Sequence, residues 1–109
     1  MNSINVFLDD YRTCPENHIL VENIDDCLYL LATRRVQHLS LDHDLTSKTR
    51  NGLLLVTIMV DRQLFPERIT IHSANASGSR AMYNHLKEAQ QSNSMPFHIK
   101  ISLRPLPLR

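Results

Sequence analysis

The sequence has almost no net charge, since 12 Lys and Arg residues against 11 Asp and Glu residues give +1 at pH 7. Charge alone therefore predicts no general attraction to nucleic acids or membranes, and any phosphate binding must depend on local residues. The two cysteines, Cys14 and Cys27, match no metal or redox spacing. Residues 1–4 lack the basic and apolar regions of a signal peptide, and the longest apolar run, residues 53–60, is too short to span a membrane. These absences predict a cytoplasmic protein with reduced thiols.

The 109 residues are enough for one domain, which we expect to cover 1–109. Apolar patterning predicts strands near residues 4–8, 18–21, 38–41, 68–72 and 97–103, and helices over about 24–35, 52–63 and 77–90. Strands that alternate with helices predict an α/β fold with a mainly parallel sheet. Only nine residues separate Leu8 from His18, so either the first crossover helix is short or missing or the second strand is placed differently in the sheet. Two prolines favour an extended tail over residues 104–109.

Three short polar clusters follow three of the predicted strands. Asp9 and Asp10 follow the first, with Arg12 close behind. The other two clusters are Asp42-His43-Asp44 and His72-Ser73-Ala74-Asn75. Because the carboxyl ends of parallel strands meet at one edge of a sheet, where open α/β folds bind ligands, the clusters predict a single site.

The residue types indicate a metal and a phosphate. Adjacent carboxylates repel each other unless a cation neutralises them, and oxygen ligands suit Mg²⁺, Mn²⁺ or Ca²⁺ rather than zinc. If the strand alternation continues, Asp42 and Asp44 share one side and His43 faces the other. His43 is then a general acid or base, a second metal ligand or a surface histidine.

The remaining polar residues can contact a phosphate. His72, Ser73 and Asn75 supply donors without negative charge, although a helix cap is the alternative for the serine. Arg12 either forms an ion pair or holds a phosphate, whereas Arg104 is expected to be structural.

The clusters resemble those of response-regulator receiver domains, with Arg104-Pro105 replacing the Lys-Pro of that family. They are more similar to the cyclic-phosphate-processing receiver-like family. That resemblance rests on Leu8 to Arg12, on Ser40 to Leu45, and on His72 to Asn75 followed by Gly78 and Met82. It spans residues 4–103 and implies a single-domain, three-layer α/β/α receiver-like (flavodoxin-like) fold with a five-stranded sheet. It also implies metal-dependent attack on the cyclic phosphates of nucleotides or RNA ends.

We therefore expect a phosphoesterase in which Asp9, Asp10 and Asp42 hold Mg²⁺ or Mn²⁺. His43 or His72 would move the proton, and Asp44 would orient a histidine or activate water. Arg12, Ser73 and Asn75 would stabilise the phosphate.

Three alternatives stay open at this stage. Asp42 could be the nucleophile, or it could be the phosphorylated residue of a signalling module. The protein could also bind a cyclic nucleotide without turnover. An oligomer is possible.

Overall fold

The computed structural model describes residues 2–107, so the last two residues of the predicted tail lie outside the described residues. Five strands and three helices form in the predicted order. The strands are β1 (Ile4–Leu8), β2 (Ile19–Val21), β3 (Val36–Leu41), β4 (Arg68–Ile71) and β5 (Lys100–Leu103). The helices are α1 (Ile24–Thr33), α2 (Gly52–Arg62) and α3 (Ala76–Gln91). The sheet has the order β2-β1-β3-β4-β5 and every neighbouring pair is parallel. The predicted receiver-like α/β fold is confirmed.

Each helix begins at an asparagine whose side chain accepts a backbone hydrogen bond. Asn23 accepts from Asp26 N at 2.8 Å, Asn51 from Leu54 N at 3.1 Å, and Asn75 from Gly78 N at 2.9 Å. All three asparagines have extended backbone angles, as N-cap residues do. These caps fix where α2 and α3 start, close to the polar residues that follow β3 and β4.

One face of the sheet holds the apolar core. Because side chains alternate along a strand, Val6, Leu39 and Ile69 point to the same face, and all three are fully buried. They belong to one apolar cluster that includes residues of α1, α2 and α3. The three helices connect strands that advance in the same direction along the sheet, so right-handed crossovers place all three on this face.

The opposite face carries Asn5, Phe7, Ser40, Thr70 and His72, and no helix of residues 2–107 covers it. The missing first crossover helix is confirmed, since residues 9–18 form a loop. The second helical layer of the expected α/β/α arrangement is therefore absent from the described part of the chain. Phe7 is nevertheless buried, partly because its ring stacks on His72 with centroids 4.5 Å apart.

Residues 104–107 continue beside β4 instead of hanging free. Arg104 N donates to Ile71 O at 2.9 Å and Leu106 N donates to His72 O at 3.0 Å. These bonds bring the end of the described chain to the polar side of the sheet. None of the described helices is long and apolar enough to cross a membrane.

Candidate functional site

The ends of β1, β3 and β4 bring Asp9, Asp42 and His72 together, as the parallel topology predicts. The backbone ladder continues to these residues, because Asp42 N donates to Leu8 O at 3.1 Å and His72 N donates to Leu41 O at 3.0 Å. All three side chains are buried, and their candidate ligand atoms lie within 4.8 Å of one another. We call Asp9, Asp42, His72 and the neighbouring Arg12 the buried cluster.

Asp9 is the most heavily hydrogen-bonded member of the buried cluster. Its Oδ1 accepts the backbone N–H groups of Tyr11 at 2.8 Å and Arg12 at 2.9 Å. Its Oδ2 contacts Arg12 Nη1 at 2.9 Å and His72 Nε2 at 2.8 Å. Burial alone would raise the pKa of Asp9, but the hydrogen bonds from Arg12, Tyr11 and His72 outweigh burial and hold it below its ordinary value.

Arg12 lies between the two buried carboxylates. Its Nη1 donates to Asp9 Oδ2 at 2.9 Å and to Asp42 Oδ2 at 3.0 Å. Its Nε donates to Pro107 O at 3.0 Å, and its Nη2 donates to Leu106 O at 3.2 Å. Burial opposes the guanidinium charge, but the two carboxylates prevail and raise the pKa of Arg12. In this arrangement Arg12 compensates one of the two carboxylate charges and holds residues 106–107 in place. Its expected contact with substrate phosphate remains a prediction.

His72 uses both ring nitrogens inside the protein. Nδ1 lies 2.8 Å from Ser40 Oγ, and Nε2 lies 2.8 Å from Asp9 Oδ2. One tautomer satisfies both contacts, with Nε2–H donating to Asp9 and Nδ1 accepting the hydroxyl proton of Ser40. Burial lowers the pKa of His72, although Asp9 partly offsets that effect. This geometry suits a positioning or metal-binding role better than proton exchange with an exposed substrate.

A metal could be held by Asp9, Asp42 and His72, which form the one candidate ligand group found among residues 2–107. Two carboxylates and an imidazole are suitable donors for a divalent cation. The guanidinium of Arg12 lies where such a cation would contact both carboxylates, so binding would require Arg12 to move. Asp10 lies outside the group, because its Oδ2 accepts from the backbone N–H and the hydroxyl of Thr46.

His43 and Asp44 form a second, more exposed pair. His43 Nδ1 lies 2.8 Å from Asp44 Oδ1, which also accepts from Asn75 Nδ2 at 3.0 Å. These two hydrogen bonds, that from His43 first, lower the pKa of Asp44. With Nδ1–H directed at the carboxylate, Nε2 is the free acceptor of the ring, and no described residue bonds to it. We call His43 and Asp44 the dyad.

The expected orientation after β3 is wrong in one respect. Strand alternation would place Asp42 and Asp44 on the same side, but Asp42 is buried and Asp44 is exposed. The strand ends at Leu41, so the period of two does not extend across the turn that follows. Asp44 instead folds back on His43.

Two glycines make room for this turn. A Cβ on Gly78 would lie 2.5 Å from His43 Cγ, and a Cβ on Gly52 would lie 2.3 Å from the carbonyl oxygen of Asp42. The ring of His43 packs against Gly78. Because Gly52 is the first residue of α2 and Gly78 lies in the first turn of α3, the dyad lies between the starts of both helices.

A cavity of about 450 Å³ adjoins the dyad, and we call it the dyad cavity. Its lining comprises His43, Asp44, Leu45, Ser47, Lys48, Asn51 and Asn75. Asn51 and Asn75 are the N-caps of α2 and α3, where the helix dipoles favour an anion. Lys48 is the single Lys or Arg in this lining, and sequence reasoning missed it because it lies in the 46–51 loop, whose conformation no pattern specifies.

Ser73 is placed differently from the other candidate phosphate ligands. It is buried, and its hydroxyl oxygen accepts from Asn75 N at 3.0 Å, which stabilises the turn before α3. Of the three residues expected to bind phosphate, the structure places Asn75 alone in the lining of the dyad cavity.

Comparison with curated proteins and with solved structures finds no match. A model of the cyclic-phosphate processing receiver domain matches residues 4–88, which contain the buried cluster, the dyad and most of α3. The predicted resemblance is therefore confirmed: the chain belongs to the cyclic-phosphate processing receiver domain family.

Proposed function

We propose that this protein is a phosphoesterase that opens the cyclic phosphates of nucleotides or RNA ends. The observation that carries the proposal is the dyad: a histidine with one nitrogen held by a carboxylate and the other free, in the lining of a cavity. This is the arrangement that general acid–base catalysis requires. Family membership indicates the class of substrate, a cyclic phosphate.

The dyad cavity can hold an anion despite the charge of Asp44. Lys48 balances that charge, and the beginnings of α2 and α3 add two positive dipole ends. A cyclic phosphodiester bears one negative charge, so the occupied cavity would have a formal net charge of −1. The amide donor of Asn75 and the ammonium of Lys48 are the groups we assign to the phosphoryl oxygens.

His43 serves as base and then as acid in the reaction that we propose. Its Nε2 takes a proton from a water molecule whose oxygen forms a new bond to phosphorus. The same nitrogen then returns the proton to the ribose oxygen as the bond between that oxygen and phosphorus breaks, which leaves a phosphomonoester. Asp44 fixes the ring and stabilises its protonated form through the 2.8 Å contact at Nδ1.

Metal dependence is a separate part of the proposal. Asp9, Asp42 and His72 would hold the cation, and the imidazole in this set suits Mn²⁺ better than Mg²⁺. When bound, the metal would supply Lewis-acid polarisation of a phosphoryl oxygen. Arg12 would have to leave both carboxylates, so metal affinity depends on how easily Arg12 and residues 106–107 separate from the cluster.

A receiver-type phosphorylation of Asp42 is supported less well. The Asp42 side chain is 6% exposed and its Oδ2 is paired with Arg12, so a phosphodonor would have to displace that arginine first.

A cytoplasmic location is also part of the proposal. Cys14 and Cys27 are both unpaired, as thiols are in a reducing compartment.

The test is turnover of nucleoside 2′,3′-cyclic phosphates and of an RNA with a cyclic phosphate end, in Mn²⁺, in Mg²⁺ and in EDTA. We expect ring opening that is lost in His43→Gln and retained in His98→Gln, a control at an exposed histidine. The position of the product phosphate identifies the bond that breaks. Binding without turnover would overturn the enzymatic proposal, labelling of Asp42 by acetyl phosphate would favour signalling, and full activity in EDTA would remove the metal.

A further inference from the structure

A second cavity, of about 320 Å³, lies next to the dyad cavity. Leu45 and Ser47 line both, so this part of the loop after β3 forms the wall that they share. The remaining lining of the second cavity, which we call the side cavity, comprises Glu22, Asn23, Ile24, Asp25, Thr46 and Arg50. A substrate that extends beyond its phosphate would meet this lining next.

The charges of the two cavities differ. The side cavity has two carboxylates, Glu22 and Asp25, against the single guanidinium of Arg50, a formal charge of −1. The start of α1 at Asn23 also lies in this lining, but its partial positive charge of about half a unit offsets that formal charge only in part. In the dyad cavity, Asp44 and Lys48 cancel and two helix starts add positive potential. The phosphate is thus favoured in the dyad cavity, whereas the side cavity favours an uncharged group with hydrogen-bond donors.

Arg50 gives the side cavity the chemistry of a base-stacking site. Its Nη2 donates to Asp25 Oδ1 at 2.6 Å, which restrains the guanidinium at one edge. A guanidinium plane restrained at its edge can stack on a nucleobase through its face. Leu45 adds apolar surface, and the carboxylate of Glu22 can accept hydrogen bonds from the amino or imino groups of a base.

We propose that the side cavity binds the nucleoside of the substrate, with the base stacked on Arg50, while the cyclic phosphate lies beside the dyad. This inference rests on the proposed function and narrows its substrate class to nucleoside cyclic phosphates and nucleotide ends. Cyclic phosphates without a base would be turned over with a higher KM.

Arg50 is a suitable residue to change, because its ion pair contributes little to folding. The side chains of Arg50 and Asp25 are 48% and 69% exposed, and exposed pairs add little to stability. The hydrogen bond that fixes the loop here is made by the Arg50 backbone N to Ser47 Oγ, at 3.0 Å, and does not depend on the side chain.

The experiment compares a nucleoside 2′,3′-cyclic phosphate with ethylene glycol cyclic phosphate as substrates of the wild type, Arg50→Ala, Arg50→Lys and Arg34→Ala. Arg34 is an exposed arginine outside both cavities and serves as the matched control. For Arg50→Ala we expect KM for the nucleotide to rise at least about fivefold, with kcat unchanged. Fivefold corresponds to the lower end of the binding free energy that one stacked base contributes. Arg50→Lys should recover little of that loss, because an ammonium has no plane on which a base can stack.

A second measurement reads the side cavity without catalysis. Titration with adenosine and cytidine, which have no phosphate, should shift the NMR methyl signals of Leu45 in the wild type and not in Arg50→Ala. Absence of turnover with both substrates would refute the proposed function alone. Unshifted methyl signals, or an equal rise of KM for both substrates in Arg50→Ala, would overturn the nucleoside site.

Discussion

Replacing Arg12 by methionine tests the buried cluster directly. Methionine keeps an unbranched apolar stem but removes the one Lys or Arg within ion-pair distance of Asp9 and Asp42 among the described residues. Removing one partner of a buried ion pair leaves an uncompensated charge and typically costs about 3–5 kcal/mol. A domain of this size has a free energy of unfolding of about 5–15 kcal/mol in total, so we expect Arg12→Met to lose a large share of it.

Urea unfolding at neutral pH in EDTA measures this loss, with Arg34→Met as the control for removing an arginine. Adding Asp42→Asn to Arg12→Met should restore part of the stability, because one of the two uncompensated charges is then gone. If the cluster binds a metal, Mn²⁺ should stabilise Arg12→Met more than the wild type. A Mn²⁺ concentration of 100 times the Kd of the variant for this ion should raise the variant's free energy of unfolding by about 2.7 kcal/mol. An Arg12→Met protein as stable as the wild type in EDTA would refute the ion-pair reasoning; a loss that no divalent cation restores would refute the metal site.

Three further predictions concern histidines. His43→Gln should lower kcat on cyclic nucleotides by about 10²- to 10⁴-fold while the urea midpoint stays unchanged, and wild-type turnover would contradict the dyad. Gly78→Ala should reduce activity, because the added Cβ would lie 2.5 Å from His43 Cγ. This loss is expected although alanine is more favourable than glycine in a helix by about 1 kcal/mol. In Gly52→Ala the added Cβ would meet backbone atoms instead, so that variant should lower Tm. Burial first, then Arg68, His18 and His72, lower the pKa of His38 to about 4 from 6.5. The unfolded chain therefore binds more protons in that window, stability falls as the pH drops from 6.5 to about 4, and His38→Gln should flatten the slope of urea midpoint against pH.

The sequence was sufficient for the order of the elements, for the parallel sheet and for the meeting of the strand ends. Periodicity located every strand and helix to within a few residues, the largest difference being the start of β5 at Lys100 instead of Phe97. The turn chemistry was harder to predict. The expected metal set contained Asp10, whereas the structure groups His72 with Asp9 and Asp42. Strand alternation held the necessary signal, because Phe7 and Asp9 share a face with Ser40 and Asp42, and Asp10 does not.

Other features depend on contacts that no local pattern specifies. Lys48 and Arg50 lie in the loop from 46 to 51, whose path depends on tertiary contacts such as those of Thr46 with Asp10. The attachment of residues 106–107 likewise depends on Arg12, a residue 94 positions away from Leu106. Prolines indicated an extended tail but carried no information about what the tail would contact.

The helices cover only one face of the sheet, so the two faces are stabilised by different interactions and are sensitive to different solution conditions. On the helical side, apolar burial resists acid and salt but weakens with urea. On the helix-free side, buried carboxylates, a guanidinium and histidines hold Phe7, the loop and residues 104–107 together, and these bonds depend on proton concentration. Acid therefore loosens the helix-free side of the sheet while the apolar side stays packed, the condition in which compact acid states with fluctuating tertiary packing arise.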